Sequence, residues 1–215
     1  MKQTVGIIAD IVGSRDLTDR TAAQGAIMNA FEQAEASVAT IRQAWATVGD
    51  EFQLIAATWQ DALRITMRVQ LFLPEDLRLR FGIGVGQINT VDDGPTGPIQ
   101  DGTAWWNARQ AIETIEEQQQ RREEILTGFL AEDSELTTAV TTQLVMRDHI
   151  VARMKARERR LLAALLTGAT QQDAARAEKV SQAAVSQALH RSGAMALLDA
   201  DAALQTGANT GKGES

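Results

Sequence analysis

Asp10 lies at the end of an apolar run near the N-terminus, and Asp50 and Glu51 stand in the stretch VGDEFQ at residues 48–53. Carboxylates that converge raise one another's proton affinity, and a divalent cation resolves that conflict. Such an ion bridges one or two carboxylates to phosphate oxygens, which is the habit of Mg²⁺ and is open to Mn²⁺. Asp10 and Asp50 are therefore candidate metal ligands. Glu51 is a possible third donor, although strand alternation tends to turn it away from Asp50's face. Gly13-Ser14, directly before a helical stretch, offers backbone N–H groups to a phosphate. The plain alternative is a hairpin turn at Gly49-Asp50 and a strand-end cap at Asp10.

Composition narrows the chemistry. The chain has no cysteine and only two histidines, His149 and His190. Thiolate nucleophiles, disulfides, iron–sulfur clusters and thiolate zinc sites are excluded, and a metal in the first half must be held by oxygen. Asp10 interrupts MKQTVGIIADIV, and no run approaches the roughly 20 apolar residues of a membrane span. The expectation is a cytoplasmic protein with no membrane partner. Net charge is −10 over residues 1–146, +5 over 147–192 and −2 beyond. An acidic body with a basic C-terminal segment points to two jobs, one of them on nucleic acid.

The elements that must position these residues follow from periodicity. Residues 4–12 read as a buried strand ending near Asp10. From about Thr18 to Trp45, Ile27, Phe31, Ala34, Val38 and Ile41 keep helical spacing, with Thr21 and Gln24 as a capping box. WATVGDEFQLIAAT reads as two strands about a tight turn, and a second helix spans about 59–73 and stops at Pro74. In LRLRFGIGVGQINT, Leu79, Phe81, Ile83 and Val85 share one strand face. A two-proline loop, a helix from about Thr103 and a possible strand in EEILTGFLA complete the first part. This is an α+β order, β-α-β-β-α-β, that of a ferredoxin-like antiparallel sheet covered by helices on one face. The glycines of GIGVG are no P-loop, since no lysine follows, and a strand-edge glycine pair explains them.

ADIVGSR, VGDEFQ, RFGIGVG and QDGTAWWNARQAIE, in this order, resemble the SatD family, whose N-terminal part is similar to class III nucleotide cyclases and GGDEF diguanylate cyclases. The resemblance implies a nucleotide-cyclase-like domain over residues 1–132 in which Asp10 and Asp50 bind metal. It also implies a nucleotide near Gly13, Ser14 and Gly49. The departures are specific. Ala46 stands where adenylate cyclases carry a base-recognising lysine, and Val48 where GGDEF enzymes have a second glycine. Neither Asn107 nor Arg109 falls in the cyclase transition-state register, although Arg109 could still reach a phosphate or, equally, form an exposed ion pair. Trp105 and Trp106 read foremost as core and partial cover, with Trp106 able to offer a base a stacking face.

SatD-like proteins also carry a C-terminal helix-turn-helix, and the chain from 133 onward reads as all-α, with helices near 135–155, 158–167, 171–177 and 181–192. Residues 133–205 are expected to form a second domain, with the helix-turn-helix at 170–192 and a disordered tail at 206–215. Ala175, Val180 and Val185 fall in helix-turn-helix register, with Lys179 where glycine is usual. Ser181, Gln182, Ser186, Gln187 and His190 would then face base edges and phosphates, and Arg176, Lys179 and Arg191 the backbone. The expectation is a dimeric DNA-binding transcriptional regulator whose cyclase-like domain binds a nucleotide with Mg²⁺ or Mn²⁺. The alternative is an active nucleotidyl cyclase or nucleotide hydrolase.

Overall fold

The computed structural model describes residues 3–47, 49–94 and 97–212. Val48, the middle of the two-proline loop and the last three residues lie outside the described residues. Strand β1 (Thr4–Ile11) leads through a short 3₁₀ turn to helix α1 (Arg20–Glu35), then to the hairpin β2 (Thr40–Ala46) and β3 (Glu51–Ala56). Helix α2 (Trp59–Phe72), strand β4 (Leu79–Gly86), the hairpin β5 (Asn89–Gly94) and β6 (Gly97–Asp101), helix α3 (Thr103–Gln119) and strand β7 (Thr127–Leu130) follow. The chain ends in α4 (Ser134–Arg153), α5 (Ala156–Leu166), α6 (Gln171–Ala177), α7 (Gln182–Ser192) and α8 (Ala194–Lys212).

The main sheet has the order β2-β3-β1-β4-β7. Its first four strands are antiparallel neighbours in the ferredoxin-like order, while β7 joins β4 in parallel. The sheet is thus mixed rather than antiparallel. Helices also cover both faces rather than one. Val5, Ile7 and Ala9 of β1, with Leu79, Phe81, Ile83 and Val85 of β4, pack against α1 and α2 in the main core. The alternate residues meet α3: Ile8 packs with Trp105, Ala108 and Ile112. The glycines of β4 let α3 sit down on the sheet. A Cβ at Gly82 would lie 2.1 Å from the Ala108 carbonyl oxygen, and one at Gly84 2.1 Å from that of Ala104. Close helix–strand approach, rather than a strand edge, is what these glycines provide.

Two local readings change. Asp19, not Thr21, caps α1 by accepting from the Ala22 N–H at 2.9 Å. The helix ends at Glu35, so Ile41 belongs to β2, where it is 55% exposed.

Helix α2 organises the rest of the chain. Its residues from Asp61 to Leu71 are all buried, polar ones included. Arg68 donates to both oxygens of Asp201 in α8, at 2.5 and 2.9 Å, and to the Leu166 carbonyl of α5. Arg64 reaches the same Asp201 at 3.2 Å. Arg147 of α4 donates to Thr66 and Thr127, and Asp148 accepts from the Leu126 N–H at 2.8 Å. Buried charges of this kind are tolerated only when each partner is in place. The C-terminal helices are therefore joined to the first part along α2, whose Met67 and Leu71 belong to their apolar core. Helix α8 continues to Lys212, through most of the stretch expected to be a disordered tail. No helix among the described residues is long and apolar enough to cross a membrane.

Candidate functional site

The register of the sheet assembles the site. Asp10 lies opposite Glu51 of β3 on one side and Arg80 of β4 on the other. Arg80 donates from Nε to Asp10 Oδ1 at 2.8 Å, and its Nη1 lies 3.1 Å from Glu116 Oε1 on α3. Glu51 accepts from Arg109 Nη2 at 2.5 Å. Two arginines thus alternate with three carboxylates along the α3 side of the sheet. Pairing directly across from Asp10 puts Glu51 beside that carboxylate, with Arg109 as its partner.

Burial pushes the Asp10 carboxyl above its ordinary value, and the hydrogen bond and charge of Arg80 only partly oppose it. The nearby charges of Glu116 and Asp50 push the same way. Asp50's charge thus reaches Asp10, as the weakest of these influences. Burial draws the Arg80 guanidinium down, but Asp10 and Glu116 outweigh it and hold it above its ordinary value.

Asp50 stands in the Gly49-Asp50 turn, where Gly49 has φ +86°. The Thr47 N–H and hydroxyl both donate to the Glu51 carbonyl, closing the hairpin at 2.9 and 3.1 Å. After β1 the chain turns through Gly13, at φ +71°, into the 3₁₀ turn Ser14–Asp16. Between these two turns lies a cleft of about 250 Å³ lined by Ile11, Ser14, Arg15, Arg20, Gly49 and Asp50, among others. Ser14, Gly49 and Asp50 are thus brought together, with Gly13 adjoining. Arg15 and Arg20 escaped the sequence reading. Their signal was two cations within seven residues of Gly13 in GSRDLTDR.

The donor set suits one kind of ion. Among the described residues no group of three or more His, Cys, Asp or Glu side chains is spaced to hold a metal. Asp10 with one oxygen on Arg80, Asp50 at the hairpin tip and Glu51 on Arg109 leave a sparse set of carboxylate oxygens. That fits Mg²⁺ or Mn²⁺ shared with a substrate's phosphates, and does not fit an all-protein cage.

The remaining residues are placed differently. Trp105 is buried and stacks edgewise on Trp45 at 6.1 Å, while Trp106 is 61% exposed with its Nε1 on Asp101 at 2.9 Å. Asn107 donates to the Val85 carbonyl at 2.8 Å, which leaves it a structural task.

In the C-terminal part, α6 and α7 lie where expected, and Lys179 takes the left-handed conformation at φ +55°. Two of the cations expected to meet DNA are paired within the protein. Arg176 pairs with Asp173 at 2.5 Å and Arg191 with Glu158 at 3.5 Å. The Ser181 hydroxyl caps α7 by accepting from the Ala184 N–H. Gln182, Gln187 and His190 are exposed, and Ser186 is half-buried.

The SatD family model matches residues 4–202. No curated protein matches. Among solved structures, the catalytic core of a rhodopsin-guanylyl cyclase with converted specificity, in complex with ATPαS, is 14% identical, with a TM-score of 0.39, covering 53% of this chain and 72% of that one. An EAL/GGDEF domain protein from M. capsulatus is 13% identical, with a TM-score of 0.39, covering 60% and 84%. The expectation of a DNA-binding transcriptional regulator is corrected here. The family match over residues 4–202 is to SatD, and two of the cations expected on DNA, Arg176 and Arg191, pair instead with Asp173 and Glu158 of the chain itself.

Proposed function

The chain belongs to the SatD family, and we propose that it is a metal-dependent enzyme of the nucleotidyl cyclase type, acting as a cyclase or a hydrolase on the phosphates of a nucleotide. The observation that carries this reading is the cleft between the β1–α1 turn and the β2–β3 hairpin, with Asp50 in its wall and Asp10 near enough to feel its charge. Asp10 and Asp50 would hold Mg²⁺ or Mn²⁺, which when bound neutralises phosphate charge and polarises the phosphoryl group. Arg15 and Arg20 supply cations at the same cleft, and the backbone at Gly13 and Ser14 supplies donors. Arg109 holds Glu51, so its contribution is to keep that carboxylate off the phosphates.

Incubation of the purified chain with ATP or GTP and Mn²⁺, followed by chromatography of the products, tests the proposal. It predicts a cyclic nucleotide or a shortened phosphate chain that disappears in Asp50→Ala. Unchanged nucleotide under every pairing of metal and substrate would remove the enzyme reading. Product formation that survives Asp50→Ala would remove the site.

A further inference from the structure

Arg159 of α5 lies where the first part of the chain meets the C-terminal helices. Its guanidinium is half-buried and donates to the Gln70 carbonyl in α2, and no described residue forms an ion pair with it. Glu75 attracts it, but burial outweighs that attraction and holds its proton affinity below the ordinary arginine value. The neighbouring Arg160, by contrast, is paired with Glu178 at 2.7 Å. A guanidinium partly taken out of water without a paired anion is a costly arrangement, and four of its five donors remain to be matched.

Beside Arg159 opens a cavity of about 540 Å³. This is within the range of roughly 300–1,000 Å³ usual for small-molecule sites. Phe72, Leu73 and Pro74 from the end of α2 and Ala163 and Ala164 from α5 line it, with Gln33 of α1, Glu75 and Arg160 as further polar groups. The chemistry selects the occupant. A neutral apolar molecule would gain from the wall but not from the arginine, and a bare anion would gain the reverse. A carboxylate on a short apolar chain gains from both, through a charge-assisted hydrogen bond at one end and buried apolar area at the other.

We propose that this cavity binds a small amphipathic carboxylate, its headgroup on Arg159 and its chain along Phe72–Pro74 and the alanines of α5. The site is separate from the carboxylate cleft and does not depend on the function assigned there.

Calorimetric titration of the full chain with octanoate, octanol and inorganic phosphate tests it. Octanoate should bind saturably, with octanol and phosphate each weaker by about tenfold or more, the loss of a charged hydrogen bond or of the apolar contact. Arg159→Gln should weaken octanoate by a similar factor. Ala164→Leu keeps the charge and fills the space, so it should abolish binding even if Arg159→Gln fails to fold. Equal binding of octanol would reduce the feature to an apolar groove, and saturation by phosphate alone to an anion site. Either result, no binding of octanoate, or octanoate binding unaffected by Ala164→Leu, would overturn the proposal.

Discussion

Arg80 Nε lies 2.8 Å from Asp10 Oδ1, so the carboxylate assigned to a metal already has a cation beside it. The pair is mostly buried, with 13% and 26% side-chain exposure, and Arg80 is itself held by Glu116. Without it, Asp10 would face Asp50 and Glu116 with no counter-charge. Arg80→Met should therefore cost about 1.5–3 kcal/mol, the range for a hydrogen bond to a charged group. Added Mn²⁺ should restore more stability to this variant than to wild type. Thermal melts with and without Mn²⁺ check both halves. A variant as stable as wild type, with no larger response to metal, would mean that Asp10 needs no cation.

The second relationship is Arg68 with Asp201. Removing one partner of a buried pair leaves the other unpaired, at a cost of about 3–5 kcal/mol. At roughly 2–4 °C per kcal/mol for this chain length, Asp201→Ala should lower the melting midpoint by roughly 6–20 °C. Glu178→Ala, which breaks pairs with the exposed Arg157 and Arg160, should cost about 1 kcal/mol or less. Equal effects of the two substitutions would show that α8 is not anchored through Asp201.

Glycines give a paired test of how closely α3 lies on the sheet. Gly84→Ala places a Cβ 2.1 Å from the Ala104 carbonyl and 2.3 Å from the Ala108 nitrogen. Backbone atoms cannot give way as side chains do, so a loss of about 1–3 kcal/mol or more is expected. Gly25→Ala, in the exposed middle of α1 with nothing within 4 Å, should instead gain about 0.5–1 kcal/mol. Denaturant melts separate the two signs.

Glu35 sets a pH dependence. It accepts from the Ala44 N–H at 2.8 Å, yet burial keeps its carboxyl above the usual value, that bond opposing and the charge of Glu32 adding. The folded chain therefore holds this proton more tightly than the unfolded chain. The contribution is fully present below the unfolded value of 4.5 and is lost as pH rises through the raised folded value. Glu35→Gln should flatten the fall in stability over that window. A pH profile of melting that is the same in both proteins would contradict this.

Much of this was written locally. Period-two alternation in β4 marked Leu79, Phe81, Ile83 and Val85 as one face, and that face meets α1 and α2. The boundary after α1 was hidden because Val38 and Ile41 continue its spacing by chance, one buried in the turn and the other exposed on β2. Arg64, Arg68 and Gln70 look like the wet side of an amphipathic helix. They are buried against α5, α8 and β7, some by residues more than 130 positions away, which no local pattern encodes. The end of α8 was masked by its glycines and threonines, poor helix formers that tertiary contacts override. At the site, Asp10 and Asp50 were singled out by type and spacing, and their role as ligands is the proposal made above. The cross-strand partners Arg80 and Glu51 depend on register, and emerge only when three strands are laid side by side.

The most direct test of the carboxylate cleft is a thermal-shift titration with ATP and GTP, each with and without Mn²⁺, on wild type and Asp50→Ala. A ligand at about 100 times its dissociation constant adds roughly 2.7 kcal/mol. For a chain of this length that is a rise of roughly 5–10 °C. The account predicts a shift that requires nucleotide and metal together and disappears in Asp50→Ala. No shift with any combination, or the same shift in Asp50→Ala, would mean that VGDEFQ is a hairpin turn and nothing more.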